Sequence, residues 1–290
     1  MRKVLPFVAL FIAFLVWTFP HGLLVERILK SRLSELDIAV STGDVTLTWP
    51  PGYRIENVSL HRDAYGVDID SLHMDVFLGG GVSFDADACG GTLRGKLEAE
   101  PRDAKARARE GDGKRLEFIF DEVRPGNCLR LGAITVDGTF GGELRLVGLG
   151  KGTGAMGPLA ASGALLLEAR DGMISGHLPP AADGSEGAPI GEWRFERINA
   201  EGRIDHGDLI VERGHVRAEG VEWQVTRARL GPRTAGSARI SGDFRARRID
   251  ESPRSKAVMG LLPKAAEDKE GWRRYRVAGT LAAPKLIGLK

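Results

Sequence analysis

The chain has 290 residues, with 41 Lys+Arg against 39 Asp+Glu, 39 Gly and two Cys. A body so nearly neutral, with basic and acidic residues interleaved, is not that of a typical nucleic-acid binder, which needs an uncompensated positive face to displace counterions. Two cysteines exclude a disulfide scaffold or a zinc module, while 42% apolar residues are enough for a core and argue against wholesale disorder.

Met1-Arg2-Lys3 precedes an uncharged run whose apolar residues are Val4, Leu5, Phe7, Leu10, Phe11, Ile12, Phe14, Leu15, Val16, Trp17 and Phe19. Extended through Val25, a helix of this stretch covers about 33 Å, the thickness of a bilayer core. Residues 1–25 are therefore expected to form a transmembrane signal-anchor, single-pass, in a bacterial inner membrane. A cleaved signal peptide is the rival expectation, but Trp17-Thr18-Phe19-Pro20-His21 lacks the small residues that cleavage uses. In residues 26–36, Arg27, Lys30 and Arg32 alternate with Ile28, Leu29, Leu33 and Leu36. That pattern predicts an amphipathic membrane-proximal helix with its cations at the headgroups. Because only three residues precede the apolar run, the bulk of the chain is assigned to the periplasm.

From Asp37 to the end, period-two alternation dominates and predicts about a dozen strands. Val45, Leu47 and Trp49 alternate with Thr46 and Thr48. Leu93 and Leu97, Val136 and Phe140, Val221 and Trp223, then Phe244 and Val277 continue the pattern in later runs. A unit of Gly, one polar residue and an apolar one recurs at Gly91, Gly142, Gly202, Gly242 and Gly279, where the absent Cβ tolerates a bend. Pro101–Lys114 and Leu178–Gly191 read as exposed insertions, and the second is a candidate sub-boundary at 178–191 within the 37–290 domain. Ser255–Asp268, interrupted by Pro263, is the one later stretch with helical character. The expected fold is therefore mainly β: an N-terminal transmembrane helix, then a long curved antiparallel sheet, groove or half-barrel, with few short helices.

Such a sheet leaves a physical problem, because too few helices follow to cover its apolar side. Either that side closes into a filled sandwich or barrel core, or it forms a groove that accepts something apolar. The candidate groove face comprises Val45, Leu47, Trp49, Leu93, Leu97, Val136, Phe140, Val221, Trp223, Phe244 and Val277. Charge is also uneven along the chain. Glu26 to Ile190 carries 18 basic and 25 acidic residues, and Gly191 to Lys290 carries 21 and 14. If the basic half meets acidic partners, reversing Arg245, Arg247 and Arg248 is expected to weaken that contact and spare the fold.

Candidate chemistry is sparse. Gly152-Thr153-Gly154-Ala155-Met156-Gly157 matches a dinucleotide-loop pattern, but Pro158 follows where a helix would have to start. The histidines at 21, 61, 73, 177, 206 and 215 include no pair spaced to share a metal. Asp68 with Asp70, and Asp85 with Asp87, are spaced as carboxylate pairs, for which an exposed strand face is the ordinary explanation. No catalytic residue, cofactor or metal site is expected, and the chain is not expected to be an enzyme. Cys89 and Cys128 are the one covalent expectation. In an oxidising compartment an even pair tends to be bridged, and closing a loop of about 40 residues contributes roughly 3–4 kcal/mol. Two small buried apolar residues are the alternative.

The anchor running into Phe19-Pro20 and Arg27-Ile28-Leu29, the segment Val45-Thr46-Leu47-Thr48-Trp49-Pro50-Pro51-Gly52, and Ile55-Glu56-Asn57-Val58-Ser59-Leu60 resemble the type II secretion system protein N (general secretion pathway protein N) family. Tyr275-Arg276-Val277-Ala278-Gly279-Thr280-Leu281-Ala282-Ala283-Pro284-Lys285 is similar to that family's ending. The resemblance implies an inner-membrane accessory or assembly component of the machine that exports folded proteins, with other secretion-system proteins as partners. It also implies an AsmA/TamB-like architecture, and with it a periplasmic lipid-binding or lipid-transfer module as the alternative function. Expected partners are thus the bilayer, secretion proteins and lipid, with no nucleic acid.

Overall fold

The computed structural model describes residues 27, 30, 31, 38–48, 52–77, 81–99, 114–149, 161–177, 191–206, 208–231, 239–280 and 283–290. The anchor residues Val4 to Phe19, Trp49 and the glycine-rich loop at 152–157 lie outside these. Arg27, Lys30 and Ser31 are helical. Among the described residues no helix is long and apolar enough to cross a membrane.

Among the described residues the alternating runs become sixteen strands rather than about a dozen. They are β1 (Ala39–Ser41), β2 (Val45–Thr48), β3 (Gly52–Arg62), β4 (Tyr65–Val76), β5 (Val82–Ala88), β6 (Gly91–Ala99), β7 (Lys114–Val123) and β8 (Leu129–Leu131). There follow β9 (Ile134–Leu149), β10 (Ser162–Gly176), β11 (Trp193–Asp205), β12 (Asp208–Ala218), β13 (Val221–Leu230), β14 (Arg239–Arg248), β15 (Arg273–Thr280) and β16 (Pro284–Gly288). All belong to one sheet in which sequence neighbours lie side by side: β1-β3-β4-β5-β6-β7-β9 and onward in order to β16. Strand β2 lies beside β3, and β8 bridges β4 and β9. Strands that alternation alone under-reads are bulged. Between Arg170 and Met173 the β9–β10 register shifts, with Asp171 at φ 49°, so the apolar phase jumps by one residue.

The residues 178–190 join β10 to β11, which pair from Gly163/Ile204 to Ile174/Trp193. Pairing therefore continues across the candidate sub-boundary, and the charge reversal occurs inside one sheet. Both outer edges are short. β1 and β2 are separated by Thr42–Asp44, and the five-residue β16 begins Pro284-Lys285. Short edges carrying Pro and Lys discourage pairing with another chain.

Two devices close one end of the strands. After β7 a 3-10 turn at Pro125–Asn127 leads into β8, which pairs with Tyr65–Val67 of β4 and meets β9 at Leu131/Ile134. The hydrogen-bonded neighbours β4, β5, β6, β7, β9 and β8 thereby form a ring at that end. Within it Cys89 and Cys128 are joined by a disulfide, Cα atoms 4.9 Å apart, and cluster with Ala88 and Val123. At the same end, between β14 and β15, lies α1 (Pro253–Leu261). Ser252 caps it by accepting from the Ser255 amide at 3.1 Å, and Pro253 occupies the first turn. The helix thus starts before Ser255 and stops at Leu261, because the residue ahead of Pro263 is driven to extended geometry, ψ 145° at Leu262.

Candidate functional site

Strand register sorts the side chains into two faces. One transverse row runs Val45–Ile55–Leu72–Ala86–Leu93–Phe120–Gly142–Leu167–Ala200–Gly214–Val225–Phe244–Tyr275. A parallel row contains Leu47, Tyr53, Met74, Phe84, Gly95, Phe118, Leu144, Leu165, Gly202, Val211, Ala228, Gly242, Val277 and Leu286. All ten described residues of the candidate groove face lie on this apolar side: Leu97 opposite Leu116, Val136 opposite Ile174, Phe140 opposite Ala169, Trp223 opposite Val216 and Val221 opposite Ala218.

Burial on that face is graded. The buried residues Ala88, Val123, Ala169, Phe195, Ala218, Val221 and Ala246 line up at the end carrying the disulfide and α1, with buried Ile55 and Tyr275 in the next row. Toward the other end, Leu97, Leu116, Leu146, Ile204, Leu209, Leu230 and Ile240 are only half-buried. Among the described residues no helix or second sheet lies across the middle.

The recurring glycines belong to the same face, and at two positions on it, Gly95 and Gly142, a ring takes the space a Cβ would fill. Phe84 lies over Gly95 across the β5–β6 pair, and a Cβ on Gly142 would meet Phe120 Cζ at 2.7 Å. At these two positions the absent Cβ leaves room for a ring from the neighbouring strand. Phe84, Phe118, Phe120, Leu144 and Leu165 were not read as face residues from sequence. In Leu116-Glu117-Phe118-Ile119-Phe120 and Ala164-Leu165-Leu166-Leu167, an apolar residue occupies the polar phase and hides the alternation.

The opposite face is charged and largely self-paired. Arg94 reaches Asp85 at 3.4 Å, Arg276 bonds Asp243 through both nitrogens at 2.7 and 3.2 Å, and Ser71 donates to Asp87 at 2.8 Å. Ser59, His61 and Asp68 converge near Arg130. The connectivity is not that of a nucleophilic triad. Ser59 donates to Asp68 and contacts His61 Nε2, while His61 Nδ1 abuts Gly66 rather than a carboxylate. The Ser59 bond, with Arg130 and His61, holds the Asp68 carboxyl below the usual range against partial burial. Asp68 also receives Arg130 of β8, so it helps pin the disulfide-bearing segment to β4. Among the described residues no group of three or more potential ligands is arranged for a metal.

Near the C-terminal edge the charged face is tightly built. Glu222 is buried, which opposes its ionisation, yet His215 Nε2 and Arg247 Nε, both at 2.6 Å, hold its carboxyl below the usual range. Arg245 makes two bonds to Gln224 Oε1 at 3.0 and 2.7 Å. The guanidinium carbons of Arg245 and Arg247 lie 4.4 and 4.6 Å from the ring centroid of buried Trp272. This corrects the expectation that reversing Arg245, Arg247 and Arg248 would spare the fold. Two of the three are packing partners of Trp272, and Arg247 neutralises a buried carboxylate.

A carboxylate with a depressed native pKa stabilises the fold above its unfolded pKa, and that contribution disappears as pH falls through the native value. Glu222, Asp68 and Asp243 all shift downward. Thermal unfolding followed against pH is therefore expected to show stability falling below about pH 5. The acid limb should be shallower in Glu222→Gln, whose neutral-pH stability is already lower. An acid limb unchanged by that substitution would contradict the assignment.

No protein-family model, curated protein or solved structure matches the chain.

Proposed function

We propose that this chain is a non-enzymatic, inner-membrane-anchored periplasmic module whose apolar sheet face forms a groove for acyl chains, in the manner of an AsmA/TamB-like lipid-binding protein. The observation that supports this most is the graded apolar face. It is continuous from β2 to β16, sealed by the disulfide segment and α1 at one end, and half-exposed toward the other. A methylene chain laid over half-buried Leu and Phe removes water from both partners, at about 0.8 kcal/mol per buried CH₂. The polar alternative, a peptide strand, would leave backbone groups unpaired against side chains that cannot bond them. In this assignment a chain enters from the half-buried end and its terminus stops at the sealed one.

The sequence resemblance favours a second role beside this, as an accessory component of a type II protein secretion system. The segments that carry it fall on β2 and β3 and on β15 and β16, the two outer ends of the sheet, where exposed residues such as Ile287 are free to meet partner proteins.

Photo-crosslinking in cells separates the two. Benzoylphenylalanine in place of Leu144, on the apolar face, is expected to give lipid adducts in mass spectra of the purified chain. The same group at neighbouring Glu143, on the charged face, should give none, and at Ile287 it should capture secretion-system proteins. Equal lipid capture from positions 143 and 144 would refute the groove. Absence of secretion components from every edge position would refute the accessory role.

A further inference from the structure

Near the middle of the charged face, aliphatic side chains of β7 and β10 stand out of phase. Ile119 of β7 and Leu166 of β10 are 46% and 43% exposed, and the register places Glu143 of β9 between them. Both line a hollow of about 330 Å³ together with Arg94, Asp121 and Glu168. Through Leu166 and Glu168 that hollow joins one of about 480 Å³ around Glu201, Arg213 and His215. Through Thr92 and Arg94 it joins a third, of about 290 Å³, around Arg54, Asp85 and Asp87. Together they make one trough running across the strands, on the side away from the apolar face.

We infer that this trough is a docking surface for an amphipathic, basic helix of a partner protein. Charge selects a cationic partner. The lining carboxylates are Asp85, Asp87, Asp121, Glu143, Glu168 and Glu201, against Arg54, Arg94 and Arg213. The Asp121 carboxylate makes no hydrogen bond or ion pair with any described residue. Glu143 and Glu168 bond Arg145 and Arg170, and such solvent-exposed pairs are weak enough to share an incoming cation. Geometry selects a helix. With β9 between them, β7 and β10 are two strand spacings apart, about 9–10 Å, and residues i and i+7 of a helix are about 10.5 Å apart along its axis. Two leucines one heptad apart therefore reach Ile119 and Leu166 together, and lysines beside them meet the flanking carboxylates. This surface is independent of the acyl-chain groove.

The test uses the full chain in a neutral maltoside detergent and a fluorescein-labelled helical peptide with leucines at i and i+7 flanked by lysines. A counterpart peptide carries glutamate at each lysine. Fluorescence anisotropy is expected to report binding of the cationic peptide only, weakening as salt is raised. Ile119→Ser with Leu166→Ser is expected to weaken it about tenfold, and Leu261→Ser, at the exposed end of α1, to leave it unchanged. Equal binding of the two peptides, no salt dependence, or unaltered binding by the double variant would each overturn the inference. So would self-association of the chain that the same double variant abolishes, since a second copy would then be the occupant. If the double variant fails to fold by circular dichroism, the peptide comparison and salt series on the parent chain decide.

Discussion

Replacing both Cys89 and Cys128 by Ser is expected to lower stability by about 4 kcal/mol in the chain-entropy account, given the 39-residue separation they close. The loss should be regional. The disulfide ties the β5–β6 turn to the segment entering β8, and β8 in turn bonds β4 and meets β9. Without it, that segment is held by three pairs to β4, one to β9, the Arg130–Asp68 ion pair, and backbone hydrogen bonds from Asp68 to the Cys128 carbonyl, from Gly132 to that of Ala64 and from Arg124 to that of Cys89. Denaturant unfolding with and without reductant measures the size of the effect. Hydrogen exchange locates it, and protection is expected to fall first in β4 to β9. If reductant shifts neither, the covalent tie contributes nothing to holding this end closed.

The face that matters was legible in part. Alternation in Val45–Leu47, Leu93–Leu97 and Val221–Trp223 reports which side chains share a side, because the period of a strand is two whatever the fold. The apolar phase is hidden in β10, where the bulge at Asp171, at positive φ, shifts the register. It is also hidden where glycine replaces an apolar residue beneath a ring, as at Gly95 and Gly142. Ile119 and Leu166 look like ordinary core residues in a sequence. Only register against Glu143 shows them on the charged side. The ring closed by β8 was not legible at all: a three-residue strand has no period, and its partners lie some 60 residues apart in the chain. The same holds for Trp272, whose burial depends on two arginines from β14 stacking on it.

Toward the C-terminal edge of the sheet, Tyr275→Ala is expected to cost about 3–5 kcal/mol, the range for removing a large buried ring. Tyr275 is fully buried, stacks on Phe244 with centroids 5.3 Å apart, and belongs to the cluster of Val221, Ala246 and Met259 that holds α1 to the sheet. Tyr275→Phe keeps the ring and should stay within about 1 kcal/mol of the parent. The more informative readout is where protection is lost. In a meander each strand contacts its neighbours and little else, so stability is transmitted from strand to strand, as it is along a solenoid. Hydrogen exchange in Tyr275→Ala is therefore expected to quicken in α1 and β13 to β16 while β4 to β9, tied by the disulfide, keep their protection. A uniform loss across all strands would mean that the sheet opens as one unit. In that case one part of the groove could not open while the other stayed folded. A regional loss gives the groove two separately adjustable halves along the strand order, with β13 to β16 able to open while the disulfide-tied β4 to β9 stay folded.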